Sequence, residues 1–147
     1  MISVILPTYN NESTIFHAIA SILNQSYDNF ELIVINDCSI DGTKEVINSF
    51  KDKRIIYIEN ETNLGGALSR NKGIEMAKGD FICMMDGDDI SLPSRLEIQH
   101  QYLLNNPKID LIGTNIIFFK NNSVTHFSNF KLHSPESVKF YFYSLQL

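Results

Sequence analysis

Short unbroken apolar runs alternate with segments of helical periodicity, and this alternation limits the architecture more than any other feature of the chain. Ile2 to Leu6 is a β-branched run stopped by Pro7. Leu32 to Ile35, Ile55 to Ile58 and Phe81 to Met85 are three more such runs. Between them, Ile15, Ile19, Ile22 and Leu23 recur at helical spacing, with Asn10 or Asn11 as N-cap. Val46, Ile47 and Phe50 mark a second helix. Residues 65–78 form a third, with Leu64, Ala67, Ile74 and Ala77 on about one face and Gly79 ending it. The strand runs are continuous, as strands covered on both faces are, and that is the habit of parallel sheets. The expected fold is an open α/β sheet of Rossmann-like character. At 147 residues the chain fits one domain.

Past the fourth run, Pro93 stands at the first turn of a helix whose apolar positions are Leu96, Leu103 and Leu104, stopped by Asn105, Asn106 and Pro107. Ile109 to Phe119 reads as a fifth strand with a break near Gly113. Ser134-Pro135-Glu136 reads as a helix start, with Val138, Phe142 and Leu145 as its buried stripe. The last segment is expected to be cut, since the chain stops at Leu147 with that stripe unpartnered. Exposed aromatics from Phe140 to Tyr143 would then favour self-association.

Composition removes several classes. Forty-four per cent of residues are hydrophobic and 20% charged, which is ordinary globular usage. The net charge of -5 leaves no basic footprint for nucleic acid. The apolar run from Phe81 to Met85 is the longest and is far too short to cross a bilayer. Cys38 and Cys83 lie far apart without a CxxC pattern, so both are expected as plain thiols in a reducing, cytoplasmic setting. The four histidines share no metal-ligand spacing.

In open parallel sheets, ligands bind outside the carboxyl ends of the strands. Three polar clusters fall there: Pro7-Thr8-Tyr9-Asn10, then Asn36 to Thr43, then Asp86-Gly87-Asp88-Asp89. Asp86, Asp88 and Asp89 put three carboxylates within four residues, and a divalent cation relieves their repulsion. Oxygen ligands suit Mg²⁺ or Mn²⁺, which share their shell with phosphate and water. The bland alternative is a solvated acidic turn. A calcium loop fails, because Ile90 and Ser91 stand where an oxygen ligand and a glycine belong. Asp37 can accept hydrogen bonds from a ribose or a base, or cap the next helix. Tyr9 can stack on a flat base or pack at the rim. Arg70, one of three arginines, suits a phosphate, a base or a surface carboxylate. Gly65-Gly66 permits close backbone approach or a tight turn. There is neither a GxGxxG nor a P-loop GK[ST].

With these residues in view, the chain resembles the family 2 glycosyltransferases of GT-A fold. The matching elements are SVILPTYN, INDCSIDGT, NLGGALSRNKGIEMAKGDFICMMDGDD and LPSRLEIQHQYLL, in family order, covering residues 1 to about 115. The resemblance implies a donor site for a nucleotide-diphospho-sugar, UDP-sugar by family habit. Pro7, Tyr9 and Asp37 would hold the nucleotide, with Arg70 near the same pocket. Asp86 and Asp88 match the family's DxD element. Asp86 would contact the ribose or the metal shell, and Asp88 would coordinate Mn²⁺ or Mg²⁺ on the diphosphate. Transfer would proceed with inversion, to a saccharide, lipid or protein acceptor, in polysaccharide biosynthesis at the cytoplasmic face of a membrane.

The family's general base belongs to an acidic pair well downstream of the DxD. Here Glu97, Asp110 and Glu136 stand singly after Asp89. The expectation is therefore one incomplete GT-A domain, with a donor-binding half over 1–115 and the start of an acceptor-side region over 116–147. The base would lie beyond the chain end. A non-catalytic nucleotide-sugar-binding module makes the same site predictions without a product. A nucleotidyltransferase would show an early Gly-rich loop with a Lys or Arg, which Pro7 to Asn11 lack.

Overall fold

The computed structural model describes residues 1–120 and 123–127. Its centre is a four-stranded parallel sheet in the order β3-β2-β1-β4. The strands are β1 (Ile2–Thr8), β2 (Phe30–Asn36), β3 (Ile55–Glu59) and β4 (Phe81–Met84). The helices are α1 (Ile15–Leu23), α2 (Thr43–Ser49), α3 (Gly66–Met76) and α4 (Arg95–Asn105). Register runs from Ile2 opposite Phe30 to Thr8 opposite Asn36, and on the other side from Ile2 opposite Phe81 to Ile5 opposite Met84. Strand, helix and strand succeed one another as the sequence requires. The chain fills β1 to β3 in one direction, then crosses back over β1 to place β4. That reversal opens a crevice at the carboxyl ends of β1 and β4, where open α/β sheets bind ligands.

Every residue of β1 and β2 is buried. One face of these strands carries Val4, Leu6, Leu32 and Val34 against Ile15, Ala18, Ile19, Ile22, Ile47 and Leu96. The other carries Ile5, Ile33 and Ile35. Each such fully buried aliphatic side chain is worth about 1.5–3 kcal/mol relative to exposure. β4 differs from the expectation for a run covered on both faces. Cys83 is buried, but Ile82 and Met84, on the face of Ile5, are exposed.

Pro7 does not stop β1. The strand continues to Thr8, whose carbonyl accepts the Asp37 N–H at 2.8 Å. Alternate residues of a strand bond to opposite neighbours, so Pro7 faces the side of β4. The β1–β4 pairing has already ended at Ile5 opposite Met84, so the missing proline N–H costs no ladder bond.

The helix expected over 65–78 exists, but of Leu64, Ala67, Ile74 and Ala77 only Ala77 packs against the core, beside Ile5, Ile33 and Ile35. Ser69 and Gly73 are the buried residues of α3, while Leu64, Ala67 and Ile74 are exposed. Close approach explains this: a Cβ on Gly73 would lie 2.5 Å from Ile5 Cγ2 and 2.8 Å from Ile35 Cδ1. In α4, Leu96 is buried and Leu104 is exposed. The segment expected as a fifth strand instead gives β5 (Ile117–Lys120), paired antiparallel with β6 (Ser123–Phe127) in a separate two-stranded sheet. The expected helix from Ser134-Pro135-Glu136, its stripe of Val138, Phe142 and Leu145, and the self-association through Phe140 to Tyr143 lie outside the described residues. Cys38 and Cys83 are both free thiols. Among the described residues no helix is long and apolar enough to cross a membrane.

Candidate functional site

A cleft of about 220 Å³ opens at the switch between β1 and β4. Pro7, Thr8, Tyr9 and Asn11 line it from the end of β1, and Asp37 from the end of β2. Gly66 and Arg70 contribute from α3, and Asp86, Gly87 and Asp88 from the end of β4. All six residues singled out from the sequence, Pro7, Tyr9, Asp37, Arg70, Asp86 and Asp88, meet there.

The loops after β1 and β2 are fastened to each other by reciprocal bonds. Asn10 N–H donates to Ser39 Oγ at 3.0 Å, and Ile40 N–H donates to Asn10 Oδ1 at 2.9 Å. Glu12 N–H donates to Asp41 Oδ2 at 3.1 Å, and Gly42 N–H to Glu12 Oε2 at 3.1 Å. This stapling holds Asn10 and Cys38 at φ of 52° and 62°, a region that non-glycine residues seldom enter. Asn10 and Asn11 are thus loop ties rather than caps, and Thr14 is the N-cap of α1. Asn11 Oδ1 accepts the Thr8 hydroxyl at 2.8 Å and the Tyr9 N–H at 3.2 Å. Tyr9 is left exposed beside the cleft with its ring available for stacking.

The acidic loop is pinned to the same wall. Thr14 Oγ1 donates to the Gly87 carbonyl at 3.0 Å, a buried bond across 73 positions. A Cβ on Gly87 would sit 2.8 Å from Thr8 Oγ1. Glycine here lets the loop after β4 lie flat on the loop after β1.

Asp37 is buried and richly bonded. Oδ1 accepts Asn60 Nδ2 at 2.7 Å and the Leu64 N–H at 2.9 Å, and Oδ2 accepts the Gly65 N–H at 2.8 Å. Burial pushes its carboxyl up, but hydrogen bonds from Leu64, Asn60, Gly65 and Ser69 outweigh that and hold it below its ordinary value. It does not cap α2, where Asp41 Oδ1 accepts the Thr43 N–H at 3.1 Å. Instead it ties the turn before α3, in which Gly65 takes φ 83°.

Arg70 pairs with Asp86 across the cleft, Nη2 donating to Oδ1. The surface-carboxylate alternative for Arg70 is therefore replaced by a half-buried pair inside the site. Burial pushes the Asp88 carboxyl above its ordinary range, and the neighbouring Asp86 charge adds to this. A cation would relieve both effects. Among the described residues no three His, Cys, Asp or Glu side chains form a metal cage. Asp86 and Asp88 are the cleft carboxylates that could hold a hard divalent ion, with the rest of its shell drawn from phosphate and water.

Sequence reasoning passed over Thr14, Asn60 and Ser69. Their polar bonds run between segments far apart in sequence, and no local pattern marks them.

Comparison with known proteins agrees with this architecture. The profile described as Glycosyl transferase family 2 matches residues 3–146. The chain is 40% identical over 140 residues to the Escherichia coli UDP-Glc:alpha-D-GlcNAc-diphosphoundecaprenol beta-1,3-glucosyltransferase WfgD, covering 95% of this chain and 53% of that protein. The structure of S. aureus TarS 1-349 in complex with UDP-GlcNAc superposes with a TM-score of 0.70 at 26% identity, over 85% of this chain and 37% of that one. The mannosyltransferase PcManGT from Pyrobaculum calidifontis, in complex with GDP-Man and Mn²⁺, gives 0.63 at 27% identity, over 69% and 32%. The chain spans about half the length of the curated relatives it matches. Its parallel sheet flanked by helices is the GT-A arrangement of its structural neighbours, and the chain belongs to glycosyl transferase family 2.

Proposed function

We propose that the cleft binds a nucleotide-diphospho-sugar, a UDP-sugar, together with Mn²⁺ or Mg²⁺, and that residues 1–115 are the donor-binding half of an inverting glycosyltransferase. The observation that carries this reading is the meeting of Tyr9, Asp37, Arg70, Asp86 and Asp88 in one cleft at the topological switch. The donors of the relatives, UDP-Glc for WfgD, UDP-GlcNAc in the TarS complex and GDP-Man with Mn²⁺ in the PcManGT complex, support a nucleotide-sugar and a divalent cation.

In this reading the Tyr9 ring stacks on the base beside Pro7. Asp37, which lines the cleft, reads the nucleoside with its carboxylate. Arg70 and Asp86 orient the ribose and diphosphate, and Asp88 holds the metal. The chemistry a bound cation supplies there is neutralisation of charge on the departing diphosphate. The acceptor hydroxyl oxygen bonds to the anomeric carbon as the bond to the diphosphate oxygen breaks. Its proton passes to a general base that is not among the residues of this cleft. The acceptor is a saccharide, lipid or protein of polysaccharide biosynthesis, and the setting is the cytoplasm or the cytoplasmic face of a membrane. The diphosphoundecaprenol in the name of WfgD supports a lipid-linked saccharide.

A second reading is donor binding without turnover. The cleft residues named above favour it, since each takes a donor-binding or metal-binding role. The experiment is calorimetric titration with UDP, GDP and dTDP, followed by assay of UDP release from UDP-sugars in the presence of candidate acceptors. UDP is expected to bind best. Binding with product supports transfer, binding without product supports the second reading, and no binding of any nucleotide by the folded chain contradicts both.

A further inference from the structure

Asn60 follows β3 directly, and its N–H extends the sheet by donating to the Asn36 carbonyl at 2.9 Å. Its side chain is buried and committed at both ends of the amide. Nδ2 donates to Asp37 Oδ1 at 2.7 Å and to Ser69 Oγ at 2.9 Å. Oδ1 accepts Lys72 Nζ at 2.7 Å. An ionised carboxylate only accepts and an ammonium only donates. Asp37 on one side and Lys72 on the other therefore admit one orientation of the amide. Asn60 thus links Asp37 at the end of β2 to Ser69 on the inward face of α3, with Lys72 on the other end of its amide.

A buried aspartate whose only duty was to tie the Leu64–Gly65 turn would be served by the backbone N–H groups of that turn. Asn60 adds a third bond, from the end of β3, that fixes the rotation of the carboxylate. Asn60 and Leu64 fill Oδ1 while Oδ2 takes the Gly65 N–H, and Asp37 lines the cleft in that setting. We propose that Asn60 is a positioning residue for the donor site, setting the Asp37 carboxylate that reads the nucleoside. This rests on the donor-site reading above. Asn60 itself touches no ligand. Its action passes through Asp37, which separates it from a residue that merely supports the fold.

The test is calorimetric titration of UDP, with and without Mn²⁺, into the unaltered chain, N60A, D37A and the D37A/N60A double variant, each checked for folding by circular dichroism. N60A is expected to weaken UDP binding about tenfold, the scale of one hydrogen bond to a charged group. The gain in affinity on adding Mn²⁺ should be unchanged, because Asn60 acts at the nucleoside end. In the D37A background, N60A should change the affinity little, since the residue it acts through is gone. Unchanged UDP affinity in folded N60A overturns the inference, and so does an equal loss in the D37A background. If N60A does not fold, N60S serves: its hydroxyl stops one bond short of Nδ2, so the contact to Asp37 is lost, and it is expected to weaken UDP binding several-fold; unchanged affinity overturns the inference. Absence of nucleotide binding by the unaltered chain overturns the donor-site reading and this inference with it. Binding by the unaltered chain with no effect of Asn60 overturns this inference alone.

Discussion

Arg70, one turn into α3, pairs its guanidinium with the Asp86 carboxylate at the end of β4. The pair bridges the two walls of the cleft and joins the helix that Asp37 anchors to the loop that carries Asp88. Arg70→Ala leaves Asp86 without its cation and removes the positive charge nearest the proposed diphosphate. We expect UDP affinity to fall roughly 10- to 100-fold, the range for a charge-assisted hydrogen bond. Arg70→Lys should restore only part of it, since an ammonium lacks the planar fork. Calorimetry on both variants checks this.

Gly73 is the point where α3 lies closest to the sheet. Gly73→Ala gains about 1 kcal/mol in helix propensity but forces a methyl group against Ile5 and Ile35, an overpacking cost of about 1–3 kcal/mol. The expected result is net destabilisation, read as a lower urea midpoint with an unchanged slope.

Thr14→Val keeps the shape of the side chain and removes the buried hydroxyl that binds the Gly87 carbonyl. Leaving that carbonyl unsatisfied costs about 1–3 kcal/mol. The urea midpoint should fall, and metal-enhanced UDP binding should weaken, because the loop bearing Asp88 loses its tether to α1.

At the other end of the sheet, Arg54 holds the Asp52 carboxyl at about 2 through hydrogen bonds from its side chain and backbone N–H. A carboxylate depressed in the folded state contributes stability above its ordinary pKa and loses it as pH falls toward the folded value. Asp52→Asn should therefore lower stability at neutral pH and flatten the decline between about pH 4 and pH 2. Urea midpoints across that range test the sign.

Most of the architecture was legible because β1 and β2 are buried on both faces, and such strands read as uninterrupted apolar runs. β4 resembles them in sequence, yet Ile82 and Met84 are exposed, since run length reports hydrophobicity and not what covers it. The face of α3 was misread for a related reason. Apolar periodicity finds helices that pack through large side chains, whereas this helix packs through Ser69 and Gly73, where closeness matters more than area. Pro7 looked like a strand end because the sequence does not say which neighbour each N–H faces. Of the six residues that meet in the cleft, Pro7, Tyr9, Asp37, Asp86 and Asp88 were legible as clusters at strand ends, and Arg70 as one of three arginines, placed early in the third helix. Thr14, Asn60 and Ser69 were not, because their partners lie in segments distant along the chain.

The central claim is that Asp88 and the nucleoside pocket act on one ligand. Titration of UDP with and without Mn²⁺ into the unaltered chain and Asp88→Ala tests it most directly. The expected result is binding strengthened by Mn²⁺ in the unaltered chain, and binding that persists without that enhancement in Asp88→Ala. Equal enhancement by Mn²⁺ in both proteins would contradict the assignment of the metal to Asp88.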